Sequence, residues 1–291
     1  VLSFLLSSNT FAQTTPYATC GTDIIQEDIF RMNPEFRKIY EARLLEFNEA
    51  RKQGKFSKNQ TEIIEIPIVV HILNDGKGLY VPTDAQVNAW IARTNAIWDG
   101  SATDIKGPGA GGTTLPVRLV LAKRSPSCEA TTGIVKHDLS QNQTYVNGGV
   151  SSSISNPGIP YTTINSTYNW DSSSYFNIYI TNKINGVNPS TPGINSYVAG
   201  FATYPGQSVD LSVMLYHIVI KSTDTVLAHE MMHAFGVKHV FEGGDGEGKT
   251  CGSLVNDNIT DTQQTRSGLF FGSPNNQNGQ YNQYKVYPDN N

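Results

Sequence analysis

The chain has few cysteines, few charges and no long apolar run. Three cysteines in 291 residues are too few for a disulfide scaffold. Charged residues make up 16% and leave a net charge of −4. A weakly acidic chain of pI near 5.9 is not built to clamp nucleic-acid phosphates. No stretch reaches the roughly 18 to 20 apolar residues of a membrane span. The 26 glycines, with abundant Ser, Thr and Asn, suit a loop-rich secreted protein better than a helical bundle. The length fits one large domain or two small ones, enough for a sizeable core.

Residues 1–6 are mostly apolar, and residues 7–13 turn small and polar around Ala12. This is the pattern of a signal-peptide remnant over 1–13, with an ordinary terminal tail as the alternative. The start at Val1 and the absence of a natural stop near Asn291 lead us to expect a fragment. Residues 14–60 form the next unit. Phe30, Phe36, Ile39, Leu44, Leu45 and Phe47 recur at helical intervals and Pro34 interrupts them, so one or two amphipathic helices are expected. A basic linker with Gly54 closes the unit.

Residues 61–291 read as a separate domain. Residues 63–73 are rich in β-branched side chains and predict a strand. Thr83 and Gln86 have capping-box spacing. Val87, Trp90, Ile91, Thr94, Ile97 and Trp98 then share one helix face. Further strands are predicted at 117–122, 175–180, 198–204 and 213–220. Residues 140–174 are polar and are expected to form surface loop.

The chemistry concentrates in residues 223–239. A helix is predicted over 223–235, capped by Ser222 or Thr223, with Leu227, Met231 and Phe235 as its apolar stripe. His229 and His233 lie four apart, so both rings point the same way, one turn from each other. Glu230 lies beside them, able to reach a water without being a ligand. Gly236 can take a positive φ at no steric cost and turn the chain back, which brings His239 round as a third nitrogen. The run reads H-E-x-x-H-x-x-G-x-x-H. Three neutral imidazoles with one open position suit zinc. Zinc lowers the pKa of water in that position to about 7. Glu230 is the expected general base for attack on a peptide carbonyl. The bland alternatives are surface histidines, or a structural zinc, which would not need Glu230. His71, His137 and His217 are expected in the core or at the surface, without a role.

The extended motif resembles that of the metzincin zinc endopeptidases, and within them the pappalysin and ulilysin group. The strand at 66–72 with the helix from Thr83 is similar to that group's opening unit. The segments 176–181 and 199–205 resemble its central and edge strands. The run 241–244 followed by Asp257, Ile259, Asp261 and Thr262 resembles its calcium-associated loop. The resemblance implies an α/β (α+β) metzincin fold: a twisted, mostly parallel five-stranded sheet, a backing helix and an active-site helix. It implies a protein or peptide substrate paired with the edge at Ala199, Gly200, Phe201 and Ala202. It also implies a possible calcium site at Asp257, Asp261 and Thr262, although Gln263 stands where the family usually has proline. No methionine follows His239, where the family has its methionine turn, so that turn is expected beyond Asn291.

Cys20 lies ahead of the charged helices, in a context that resembles a cysteine switch, a thiolate filling the open zinc position. Residues 14–60 would then be a propeptide, removed near the basic linker. A Cys20–Cys128 disulfide is the rival reading, and the resemblance implies a partner for Cys251 beyond the chain. The expectation is a secreted zinc endopeptidase made as a zymogen. The alternative is a secreted zinc-binding or adhesion protein that keeps the fold without cutting. Neither reading sets an oligomeric state.

Overall fold

The computed structural model describes residues 16–55, 62–105, 114–206 and 209–239, and the backbone of two short strands beyond them. The chain opens with strand β1 (Tyr17–Cys20) and helices α1 (Thr22–Met32) and α2 (Pro34–Lys52). Strand β2 (Ile64–Asn74), helix α3 (Asp84–Trp98) and strands β3 (Val117–Leu121) and β4 (Ile134–Asp138) follow. Next come α4 (Gln143–Gly148), β5 (Val150–Ser151), β6 (Ile159–Pro160) and α5 (Tyr161–Tyr168). Then come β7 (Phe176–Thr181), β8 (Ser196–Ala202), β9 (Leu211–Leu215), α6 (Tyr216–Val219) and α7 (Val226–Ala234). A small antiparallel pair, β10 (Leu254–Val255) and β11 (Thr265–Arg266), closes the described chain.

The main sheet runs β1-β8-β9-β7-β2-β3, with β4 also paired to β2. Every pairing in it is parallel except β8 with β9. It has seven strands where five were expected. Strand β1 extends the edge, and β2 is long enough to pair with β3 along its first half and β4 along its second. In β2 the run from Ile68 to Leu73 is buried without alternation, as a central strand covered on both faces requires. The capping box at Thr83 and Gln86 is formed. Behind it Val87, Trp90, Ile91, Thr94 and Trp98 are buried, and α3 packs on β3 and α7.

Three expectations need correction. Residues 140–174 are not surface loop: Tyr145, Val150, Ile159, Tyr161 and Ile164 there all belong to the core. The strand expected at 213–220 stops at Leu215 and continues as a short helix. The helix expected from Thr223 starts at Val226, and Thr225 gives it no side-chain cap. Asp224 serves instead, accepting from the Val226 N–H at 3.2 Å. Its other carboxylate oxygen accepts from Trp90 Nε1, which ties the head of α7 to α3.

Candidate functional site

Helix α7 packs on β8 and β9 with Leu227 and Met231 buried against the core. That fixes its rotation and turns His229 and His233 away from the core stripe. Gly236 follows with a φ of 89°, the left-handed turn that only glycine adopts freely. His239 returns as the spacing anticipated. The Nε2 atoms of His229, His233 and His239 lie 3.1 Å from one another in all three pairs.

The outer nitrogens explain why these Nε2 atoms face inward. His233 Nδ1–H donates to the Val237 carbonyl at 2.7 Å. His239 Nδ1–H donates to Asp23 Oδ2 at 2.9 Å. Each bond leaves the Nε2 lone pair bare and aimed at the common centre. His229 can offer a proton to only one of them, and the cluster is suited to a shared cation. A tetrahedral zinc with bonds of about 2.0 to 2.1 Å would hold its nitrogens roughly 3.3 to 3.4 Å apart, close to the spacing found. Burial pushes His229 and His233 down to about 4, so both rings are neutral and ligand-ready at pH 7. The residues therefore fit zinc.

Cys20 joins the same cluster. Its Sγ and the three imidazole nitrogens all lie within 4.8 Å of one another. The thiol donates to Glu230 Oε2 at 3.4 Å. Burial, with the Glu230 carboxylate beside it, pushes the thiol up; a divalent cation would reverse that, because a ligating thiol loses its proton. Cys20 and Cys128 are free cysteines, so the rival disulfide is not formed. Cys251 lies outside the described residues, as do the calcium candidates Asp257, Asp261 and Thr262.

Glu230 is fully buried. Burial pushes it up to about 7, against hydrogen bonds from Thr22 and Cys20 that pull it down. Oε2 accepts from the Thr22 hydroxyl at 2.9 Å, and Oε1 is buried without a hydrogen-bond partner among the described residues. The Thr22 oxygen in turn accepts from the Ala202 N–H at 3.0 Å. Burial alone would raise Asp23, but the His239 hydrogen bond and the neighbouring imidazoles outweigh it and hold the carboxyl below its usual range.

The edge at Ala199, Gly200, Phe201 and Ala202 is placed beside the cluster, and it is already paired. Strand β1 runs parallel to β8, with Cys20 opposite Gly200 after a bulge. Gly21 N–H donates to the Gly200 carbonyl at 3.0 Å. A Cβ on Gly21 would come within 2.8 Å of Val198 Cγ1, so a side chain there would force Val198 or the strand to shift. Helix α2 reaches the same place from outside: Tyr40 meets Tyr204, whose ring stands 5.7 Å from that of His233. Reading the sequence missed Thr22 and Asp23. Their partners lie 208 and 216 positions away, and the one local signal was their place directly after Cys20 and Gly21.

A protein-family model described as pregnancy-associated plasma protein-A, a peptidase family, matches residues 162–288. No curated protein matches the chain by sequence search. Solved structures do match by fold. A promirolysin variant from Tannerella forsythia is 21% identical with a TM-score of 0.59, covering 86% of this chain and 77% of that one. Mature mirolysin with a cleaved peptide, from the same organism, is 21% identical with a TM-score of 0.51, covering 70% and 72%. Mirolysin bound to a small compound gives 21% and 0.51, covering 72% and 74%. The family match over residues 162–288 and the fold agree with the chemistry of the histidine cluster: the chain resembles the pappalysin-type zinc metallopeptidases.

Proposed function

We propose that the chain is a secreted endopeptidase made as a zymogen, with His229, His233 and His239 as zinc ligands and Glu230 as general base. The observation that carries this reading is the mutual 3.1 Å approach of three Nε2 atoms beside a buried glutamate. Bound zinc supplies Lewis acidity toward a scissile carbonyl. The polypeptide does the rest. His233 and His239 keep their Nε2 lone pairs inward through Val237 and Asp23. Glu230, with a value near neutrality, takes a proton from the attacking water and returns it to the leaving amine.

The segment before the catalytic domain acts as its plug. With zinc bound, Cys20 would take the open position that an incoming water needs; Thr22 engages Glu230, and β1 lies along the edge where a substrate strand would pair. An edge that accepts β1 can accept a peptide once β1 has gone. The broader match to promirolysin than to mature mirolysin supports the same division near residue 60. Secretion rests on the apolar and then small-residue start of the chain.

The test is casein hydrolysis by the full chain after removal of residues before about 60, with and without a zinc chelator. The parent should cut only with zinc. Glu230→Gln should bind zinc normally and cut at least ~100-fold more slowly. Cleavage by Glu230→Gln at the parent rate would contradict the proposal.

A further inference from the structure

Asp23 stands apart from the rest of the plug, because its hydrogen bond goes to His239 and not to Glu230. It lies in the first turn of α1, and its Oδ2 takes the proton of His239 Nδ1 at 2.9 Å. Its Oδ1 is buried and has no hydrogen-bond partner among the described residues. Among the described residues, the bond to His239 is the side-chain hydrogen bond that holds this carboxylate. The other oriented ligand, His233, uses a carbonyl of its own segment, Val237. His239 instead depends on a residue from the opposite end of the chain.

A carboxylate behind a ligating imidazole fixes its tautomer, aims its lone pair and raises its basicity, and losing such a partner commonly weakens metal binding by about 10- to 100-fold. We propose that Asp23 is a positioning residue for zinc, so that the segment which blocks the enzyme also tightens the metal in its site. The zymogen is then the form that acquires zinc, and processing removes a ligand-orienting carboxylate together with the plug. This rests on the histidine cluster being the zinc site, and the experiment separates the two claims.

The full chain is titrated with zinc against a competing chelator, with Cys20 intact throughout. Hydrogen exchange at the Ala202 amide, bonded to Thr22 Oγ1, reports in parallel whether the segment is still docked. Asp23→Ala should raise the zinc Kd about 10- to 100-fold while Ala202 stays protected. Asp23→Asn keeps an acceptor oxygen but not the charge and should fall between. Glu35→Ala, in the exposed first turn of α2, should bind like the parent. Equal zinc affinity in the parent and Asp23→Ala would overturn the inference and leave the zinc site standing. Loss of Ala202 protection in Asp23→Ala would also overturn it, because Asp23 would then be an anchor for the segment. Failure of the parent to bind zinc would overturn the zinc reading itself, and the inference with it.

Discussion

At the scale of single residues, the site is made by outer hydrogen bonds as much as by the three rings. His233 and His239 present bare Nε2 atoms because Val237 and Asp23 accept at Nδ1. The convergence of the three histidines beside Glu230 could be read from the sequence, since helical spacing and one glycine decide where they point. Thr22 and Asp23 could not, because pairing across more than two hundred residues leaves no local pattern. A second histidine pair carries a pH prediction. His71 is fully buried on β2, bonded to His137 at 2.9 Å and to Asn177 Oδ1 at 3.0 Å. Burial pushes His71 down to about 4, against the Asn177 hydrogen bond that pulls it up, and burial also lowers His137. The unfolded chain therefore binds more protons than the folded one as pH falls below the ordinary histidine value of about 6.5. Stability should be indifferent to these groups above that value and decline from there toward pH 4. Urea unfolding of the metal-free chain should show this slope, and His71→Gln should reduce it by up to about one proton. An unchanged slope in the variant would show that His71 is not held neutral.

At the scale of elements, the legible parts were those with a strong local pattern. Strand β2 and helix α3 announced themselves through a run of β-branched residues and a capping box. The segment 140–174 did not. Its short elements bury Tyr145, Tyr161 and Ile164 singly between polar residues, and no periodicity develops over six or eight positions. Helix α2 misleads in the other direction: its apolar spacing suggested a buried face, yet none of its residues is buried. Aromatic contacts at Tyr40 and Phe36 hold it instead. The turn after α7 depends on one residue. At Gly236 a Cβ would meet Pro205 at an ordinary 3.4 Å, so the cost of a side chain there comes from the positive φ and not from crowding. Gly236→Ala should destabilise the chain by roughly 1 to 2 kcal/mol and shrink the rise in melting temperature that zinc produces, because His239 is displaced. A parent-like zinc-dependent rise would mean that the turn does not set the third ligand.

At the scale of the whole molecule, a single sheet joins the two ends of the story. Strand β1 belongs to the N-terminal segment and still takes the edge place beside β8, which puts Cys20, Thr22 and Asp23 against α7 in one stroke. The edge accepts a strand because β9 pairs with β8 along one side only, which leaves the outer backbone groups of β8 for β1. The five-strand expectation undercounted partly because a strand this early in the chain carries no sign that it joins a sheet assembled some 180 residues later. The most direct measurement is zinc-edge X-ray absorption on the purified full chain. Three nitrogens at about 2.0 to 2.1 Å and one sulfur at about 2.3 Å are expected, with the sulfur absent in Cys20→Ala. A chain that carries no zinc, or zinc with fewer than three nitrogen ligands, would contradict the account.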